Sequence, residues 1–225
     1  MEIDTIGLPL RLPMAMVLVM LAASEPAHAA AQREVADVSA ADLGLLLTGR
    51  YENSAQVAHG KAMGEKPPPQ HVTITIEPTQ QADWELWRVH MDVDPAVAQS
   101  AGSDTSLDAI WAMNISRVPN DNSIQLIPFT LKPSVNDATV KAPAFDAAQW
   151  LSLEACALHA DFGGSRITAQ AAADEMCVAE TMGLGGKRAF LPSWISREGD
   201  RLRVQLIYFG KPWRVDARRV STPKG

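Results

Sequence analysis

One run constrains the fold of this chain more than any other. His71-Val72-Thr73-Ile74-Thr75-Ile76-Glu77 alternates polar and β-branched apolar side chains without a break. A period of two sends successive side chains to opposite faces, so such a run buries one face only as a β-strand. The same period recurs downstream. Trp87, Val89, Met91 and Val93 share one face, with Arg88, His90 and Asp92 on the other, and Leu107, Ala109, Trp111, Met113 and Ile115 make a further apolar row. Ile124–Leu131 continues the pattern but carries Pro128, which predicts an edge strand or a bulge because proline has no ladder donor. Leu202, Val204, Leu206 and Tyr208 alternate with Arg201, Arg203, Gln205 and Ile207. Glu154–Ala160, Ser165–Gln170, Arg188–Ile195 and Trp213–Val220 are less regular strand candidates.

Roughly nine or ten strands result. Turn-forming residues join them at Asn120-Asp121-Asn122, Gly163-Gly164, Gly183–Gly186 and Glu198-Gly199-Asp200. Helical signals are few. Ser39-Ala40-Ala41-Asp42 resembles a capping box ahead of Leu43, Leu45, Leu46 and Leu47, and Gly49 is placed to end that helix. Asp146–Leu153 is the other helix candidate, and Lys61–Pro69 reads as a mobile loop stiffened by prolines. Short strands without intervening helices argue against βαβ units and for a mainly β fold. The expected architecture is an antiparallel β-barrel with a short N-terminal helix, whose interior has room for one small ligand.

Composition narrows the classes. The chain has 225 residues, 47% hydrophobic and 20% charged, which suits one well-buried core. Its formal charge is −6, and nucleic-acid binding needs clustered cations, so no nucleic-acid partner is expected. Only the end of the chain is basic: Arg197, Arg201, Arg203, Lys211, Arg214, Arg218, Arg219 and Lys224 outnumber Glu198, Asp200 and Asp216 there. Two readings stand, solvated strand faces or a surface that captures an acidic protein partner without catalysis.

Met14–Ala23 is a short apolar run, preceded by Arg11 and followed by Ala27-His28-Ala29, the order of a secretory signal. Residues 1–29 are therefore expected to be a cleaved leader, leaving residues 30–225 as a single domain in the periplasm or outside the cell. Glu2 and Asp4 are unusual in a leader, and the alternative is a buried N-terminal helix. The run falls short of the about 20 apolar residues that span a bilayer, so no transmembrane segment is expected in the mature protein. In an oxidising compartment Cys156 and Cys177 can form a disulfide; otherwise they are two buried thiols acting as small hydrophobes. No metal site is expected, because neither cysteine has a second ligand at suitable spacing.

Leu45-Leu46-Leu47-Thr48-Gly49-Arg50-Tyr51-Glu52-Asn53-Ser54-Ala55-Gln56 resembles the opening signature of the CpcT/CpeT chromophore lyase family, a short helix running into a pattern like G-x-[FY]-x-N-x-x-Q. The order that follows is also similar: a His-led strand ending at Pro78, a Trp/Arg-bearing strand, Ile124–Pro133, then Cys156, Cys177 and closing strands from Phe190 to Arg214. The resemblance implies a calycin or lipocalin-like barrel able to hold a bilin, and attachment of linear tetrapyrroles to cysteines of an acceptor protein. The chain departs from the family at Val89-His90-Met91-Asp92 and Ile110–Asn114, so arginines that pair with bilin propionates are partly missing.

The candidate ligand-binding residues follow. Asn53 and Gln56 either meet a ligand at the barrel mouth or satisfy the turn after the first helix. Arg88 and His90 share a face, and either meet one carboxylate or point to solvent while Trp87 packs in the core. Trp87, Trp111, Trp194 and Tyr208 are candidates to line a cavity against a planar ligand, or to fill the core. The catalytic residues are not legible. There is no Gly-x-Ser-x-Gly elbow and no His-Glu-x-x-His helix. The expected function is an exported barrel that binds a tetrapyrrole or another amphipathic small molecule, with or without lyase chemistry.

Overall fold

The alternating runs pair into one antiparallel sheet that closes on itself. The computed structural model describes residues 40–66, 68–92, 106–118, 123–163, 165–171, 177, 191–208 and 211–221. The expected leader at residues 1–29, Ser39, and the turns at 120–122 and 183–186 lie outside the described residues. In chain order the elements are α1 (Ala40–Leu47), β1 (Gly49–Glu52), α2 (Ser54–Ala62), β2 (His71–Pro78), β3 (Trp84–Asp92), β4 (Ser106–Arg117) and β5 (Ile124–Leu131). There follow β6 (Trp150–Ser152), β7 (Leu158–Gly163), β8 (Arg166–Ala171), β9 (Leu191–Glu198), β10 (Arg201–Tyr208) and β11 (Lys211–Arg219).

Consecutive strands pair from β1 to β5 and from β7 to β11, β5 pairs with β7, and β1 pairs with β11. These contacts make a closed ring of ten antiparallel strands, with the three-residue β6 added outside it on β5. Closure removes the exposed edges that an open sheet would present.

Inner-face residues alternate along every long strand. Val72, Ile74 and Ile76 of β2, Trp87, Val89 and Met91 of β3, Trp111, Met113 and Ile115 of β4, and Leu202, Val204 and Leu206 of β10 all belong to one buried core. Leu47 of α1 and Tyr51 of β1 join it, and the Tyr51 hydroxyl donates to the Leu47 carbonyl at 2.8 Å. Cys156 and Cys177 form a disulfide buried in the same core.

A second core lies on the outer face. The segment between β5 and β6 runs back over β3, β4 and β5, and Val140, Ala142, Phe145 and Trp150 cover Leu86, Ala112 and Leu131. Trp84 packs its ring against Phe129 and Phe145, with centroids 4.6 and 5.0 Å away. Asn136 and Asp146 each accept a backbone N–H two residues on, which starts the single helical turns Asp137–Thr139 and Ala147–Gln149.

Several local expectations need correction. Asp146–Leu153 is not a helix: its capping Asp146 starts one turn, after which Trp150 is drawn into the outer core and Trp150–Ser152 pairs with β5. Glu154–Ala160 is not one strand, because Glu154–Cys156 turns to bring Cys156 inward before β7 begins. Gly49 does not simply end a helix; it opens β1, whose ladder with β2 runs from Gly49–Ile76 to Glu52–Thr73. Lys61 and Ala62 are the last turn of α2 rather than loop. That helix ends at Ala62 with Met63 as its cap, and Gly64 just beyond, with φ of 71°, supplies the left-handed stop. Pro128 does not mark an edge strand: β5 has β4 on one side and, on the other, β7 up to Leu126 and β6 from Phe129. The residue without an N–H thus sits where one neighbour hands over to the next.

Candidate functional site

Interior strands normally carry apolar side chains, yet β3 begins its inward face with an acid. Glu85 has the same parity as Trp87, Val89 and Met91 and is 1% exposed. The Trp87 indole N–H donates to Glu85 Oε2 at 3.1 Å, while Glu85 Oε1 has no hydrogen-bond partner among the described residues. Burial pushes the Glu85 carboxyl up to about 8, outweighing the opposing Trp87 hydrogen bond. Near neutral pH the group is therefore largely protonated, able to donate or accept.

Trp87 stands opposite Trp111 across the β3–β4 ladder, and their rings stack with centroids 5.8 Å apart and planes 23° from parallel. Trp111 in turn faces Thr130 of β5. The Trp111 indole Nε1 and the Thr130 hydroxyl are both buried without a partner among the described residues. Glu85, Trp87, Trp111 and Thr130 thus form a continuous inner-face band over three adjacent strands. Helix α1 lies against its acidic end, since a Cβ built on Gly44 would sit 3.4 Å from Glu85 Oε1. On β9, Arg197 shares the inner face with Ile195 and is also buried, its Nε without a partner among the described residues.

The residues expected from sequence divide between the two faces. Trp87 and Trp111 are brought together inside the barrel. Arg88 and His90 lie on the outer face of the same strand, so they do not share a cavity with Trp87. Arg88 donates to the Val140 carbonyl and stands 3.5 Å from Glu77, pinning the outer segment to β3. His90 bridges Asp108, at 2.7 Å from Nδ1, and Asp92, at 3.2 Å from Nε2. Its hydrogen bond to Asp108 holds the imidazole above its ordinary value. Trp194 is half-buried on the outer face of β9. Tyr208 pairs with Lys211 along the backbone, and its side chain lies outside what is described.

Asn53 and Gln56 are fully engaged with the fold. Asn53 Oδ1 accepts the Val72 N–H at 2.7 Å, and its Nδ2 donates to the Gln70 carbonyl and to Gln56 Oε1. Gln56 Oε1 also accepts the Asp216 N–H, and its Nε2 donates to the Arg214 carbonyl. The pair fastens α2 to β2 and β11.

The basic strands at the end of the chain are internally paired. Arg201 grips Asp216 with two nitrogens, Arg203 stands 3.8 Å from the same carboxylate, and Arg218 lies 3.8 Å from Asp200. Arg219 donates to the Thr48 carbonyl and sits over the Tyr51 ring. Among the described residues no group of acids, histidines and cysteines is arranged to hold a metal, and no helix is long and apolar enough to cross a membrane.

Sequence reasoning passed over Glu85 and Thr130 and placed Arg197 among surface cations, whereas it is buried, although the signal was present. Each keeps the inward parity of its strand, so a polar residue interrupts an otherwise apolar row. The fold and its interior define a closed ten-stranded antiparallel β-barrel with a polar, tryptophan-walled band inside. No family model matches the chain, and no curated protein matches it.

Proposed function

We propose that this barrel is a lipocalin-like binder of a flat amphipathic molecule, of the linear tetrapyrrole class, held against the inner face of β3, β4 and β5. One observation carries the reading: among the described residues, Glu85 Oε1 and Trp111 Nε1 are buried without a partner beside a stacked tryptophan pair. Leaving a buried polar atom unpaired costs about 1–3 kcal/mol, a cost relieved when a ligand supplies the partner. A linear tetrapyrrole has matching chemistry. Its pyrrole N–H groups suit a carboxyl acceptor, its terminal lactam carbonyls suit an indole N–H, and its conjugated plane suits stacking on tryptophan. Arg197 Nε offers a third anchor, for a propionate. Helix α1 covers the acidic end of this band, so access there requires α1 to move aside.

The resemblance of Gly49–Gln56 to the chromophore lyase signature supports the same ligand class. Transfer of the bound chromophore to an acceptor protein is the catalytic extension of that reading, and the leader-like residues 1–29 support a location outside the cytoplasm. The test is to add biliverdin, phycocyanobilin and haem separately to the full chain and follow visible absorbance and induced circular dichroism. Induced dichroism with micromolar or tighter affinity, about 8 kcal/mol, weakened by Trp111→Phe and Glu85→Gln, supports the proposal. Absence of induced dichroism with all three removes the tetrapyrrole reading.

A further inference from the structure

Where α2 begins and the outer faces of β2 and β3 meet, three side chains that the interior does not use stand in a catalytic order. Ser54 is the first residue of α2, His71 the first of β2, and Asp92 the last of β3, directly opposite His71 in the ladder. Ser54 Oγ lies 3.3 Å from His71 Nε2, and His71 Nδ1 lies 2.9 Å from Asp92 Oδ2. The two contacts use different ring nitrogens. With the Nδ1 proton donated to Asp92, the Nε2 lone pair faces the serine hydroxyl, the tautomer that a general base requires.

We propose that Ser54, His71 and Asp92 form an acyl-transfer site that hydrolyses small activated esters at the outer rim of the barrel. Asp92 is a positioning residue with both oxygens held: Oδ2 by His71 and Oδ1 by His90 Nε2 at 3.2 Å. His90 is fixed in turn by Asp108 at 2.7 Å. The hydrogen bond from His71 also keeps the Asp92 carboxyl below the usual carboxylate range, so it stays ionised to steady an imidazolium. Ser54 opens a nine-residue helix, and the N–H groups of a first helical turn have no intrahelical acceptor. Those of Ser54 and Ala55 belong to the nucleophile and its neighbour, where an oxyanion would form.

The chemistry balances without a cofactor. Ser54 Oγ bonds to the ester carbonyl carbon as its proton passes to His71 Nε2. The tetrahedral adduct collapses, the carbon–oxygen bond to the leaving alcohol breaks, and the alcohol takes that proton. Water then attacks the acyl carbon, His71 receives the water proton and returns it to Ser54 Oγ, and a carboxylic acid leaves. His71 and Asp92 side chains are 34% and 59% exposed, so the site is open to water and reactivity of the ester, rather than a specificity pocket, selects the substrate.

The test uses the full chain with a fluorophosphonate probe, peptide mapping of the adduct, and p-nitrophenyl acetate turnover. The expected result is a single adduct on Ser54, lost in Ser54→Ala and in His71→Gln, with turnover falling about a hundred-fold in Ser54→Ala. Asp92→Asn should slow labelling and Asp92→Glu should restore part of it, which a purely structural Asp92 would not do. Ser54 is exposed, and an unchanged circular dichroism spectrum confirms that its variant folds. Because bare imidazoles also attack this ester, the adduct decides. No adduct on Ser54, or turnover unchanged in Ser54→Ala, overturns the proposal and leaves the cluster as the fastening of α2 to β2.

Discussion

Trp87 donates its indole N–H to Glu85 Oε2 at 3.1 Å inside the barrel, and burial rather than a charged neighbour sets that carboxyl's hold on its proton. Folded Glu85 keeps a proton up to about pH 8, whereas an ordinary glutamate releases it near 4.5. Between those values the native state binds more protons than the unfolded chain, so stability falls as pH rises across the interval and levels off above it. The full effect is on the order of 5 kcal/mol. Urea titrations from pH 5 to 9 should show this decline in the wild type and a much flatter profile in Glu85→Gln. Two parallel profiles would mean that water reaches the carboxyl.

Asn53 Oδ1 takes the Val72 N–H at 2.7 Å in a buried setting. Asn53→Ala strands that N–H and the Gln70 carbonyl, and should cost about 2–3 kcal/mol in urea unfolding. Asn53→Asp keeps the acceptor but loses both donors, and should fall between wild type and alanine. Equal stability of all three would mean that α2 is fastened by other contacts.

His90 offers a signed titration. Its hydrogen bond to Asp108 raises the imidazole above the ordinary 6.5, so its contribution to stability is complete at low pH and is lost as pH rises through the folded value. By NMR, His90 should titrate above 6.5 and move down in Asp108→Asn. A midpoint indifferent to that substitution would show the 2.7 Å contact to be absent in solution.

Cys156 and Cys177 are bridged across a separation of 21 residues. The loop that the bridge closes predicts a loss of about 3 kcal/mol on Cys177→Ala, if the effect lies in the unfolded chain. Denaturant midpoints with and without reductant measure it. A midpoint insensitive to reductant in the wild type would show that the thiols are not joined in solution.

Strands whose two faces differ were legible residue by residue. Ile124–Leu131 was bounded correctly, and the alternation in β2, β3, β4 and β10 marked which side chains face inward. The period of two reports on local burial alone, which is why elements decided by distant contacts were missed. Nothing near Gly49 announces that it starts a strand, because its partners come from β2 and from the far end of the chain. Trp150 looked helical until the outer core claimed it. Of the site, Trp87 and Trp111 were legible, and Glu85 was legible in principle as an acid of inward parity. The same period already set Arg88 and His90 on the face opposite Trp87, and the structure keeps that opposition, with Trp87 inside and the other two outside.

The ring has a narrow seam. In the ladder β1 meets β11 through Tyr51 opposite Arg219 and Glu52 opposite Arg218, with the Val220 N–H donating to the Arg50 carbonyl beside them, and these partners stand at nearly opposite ends of the described chain. A ribosome adding about 5–20 residues per second needs on the order of ten seconds to make the intervening polypeptide. Until that stretch exists, β1 has no β11 to pair with and the ring has no means of closing. The last described strand is therefore the clasp of the ring.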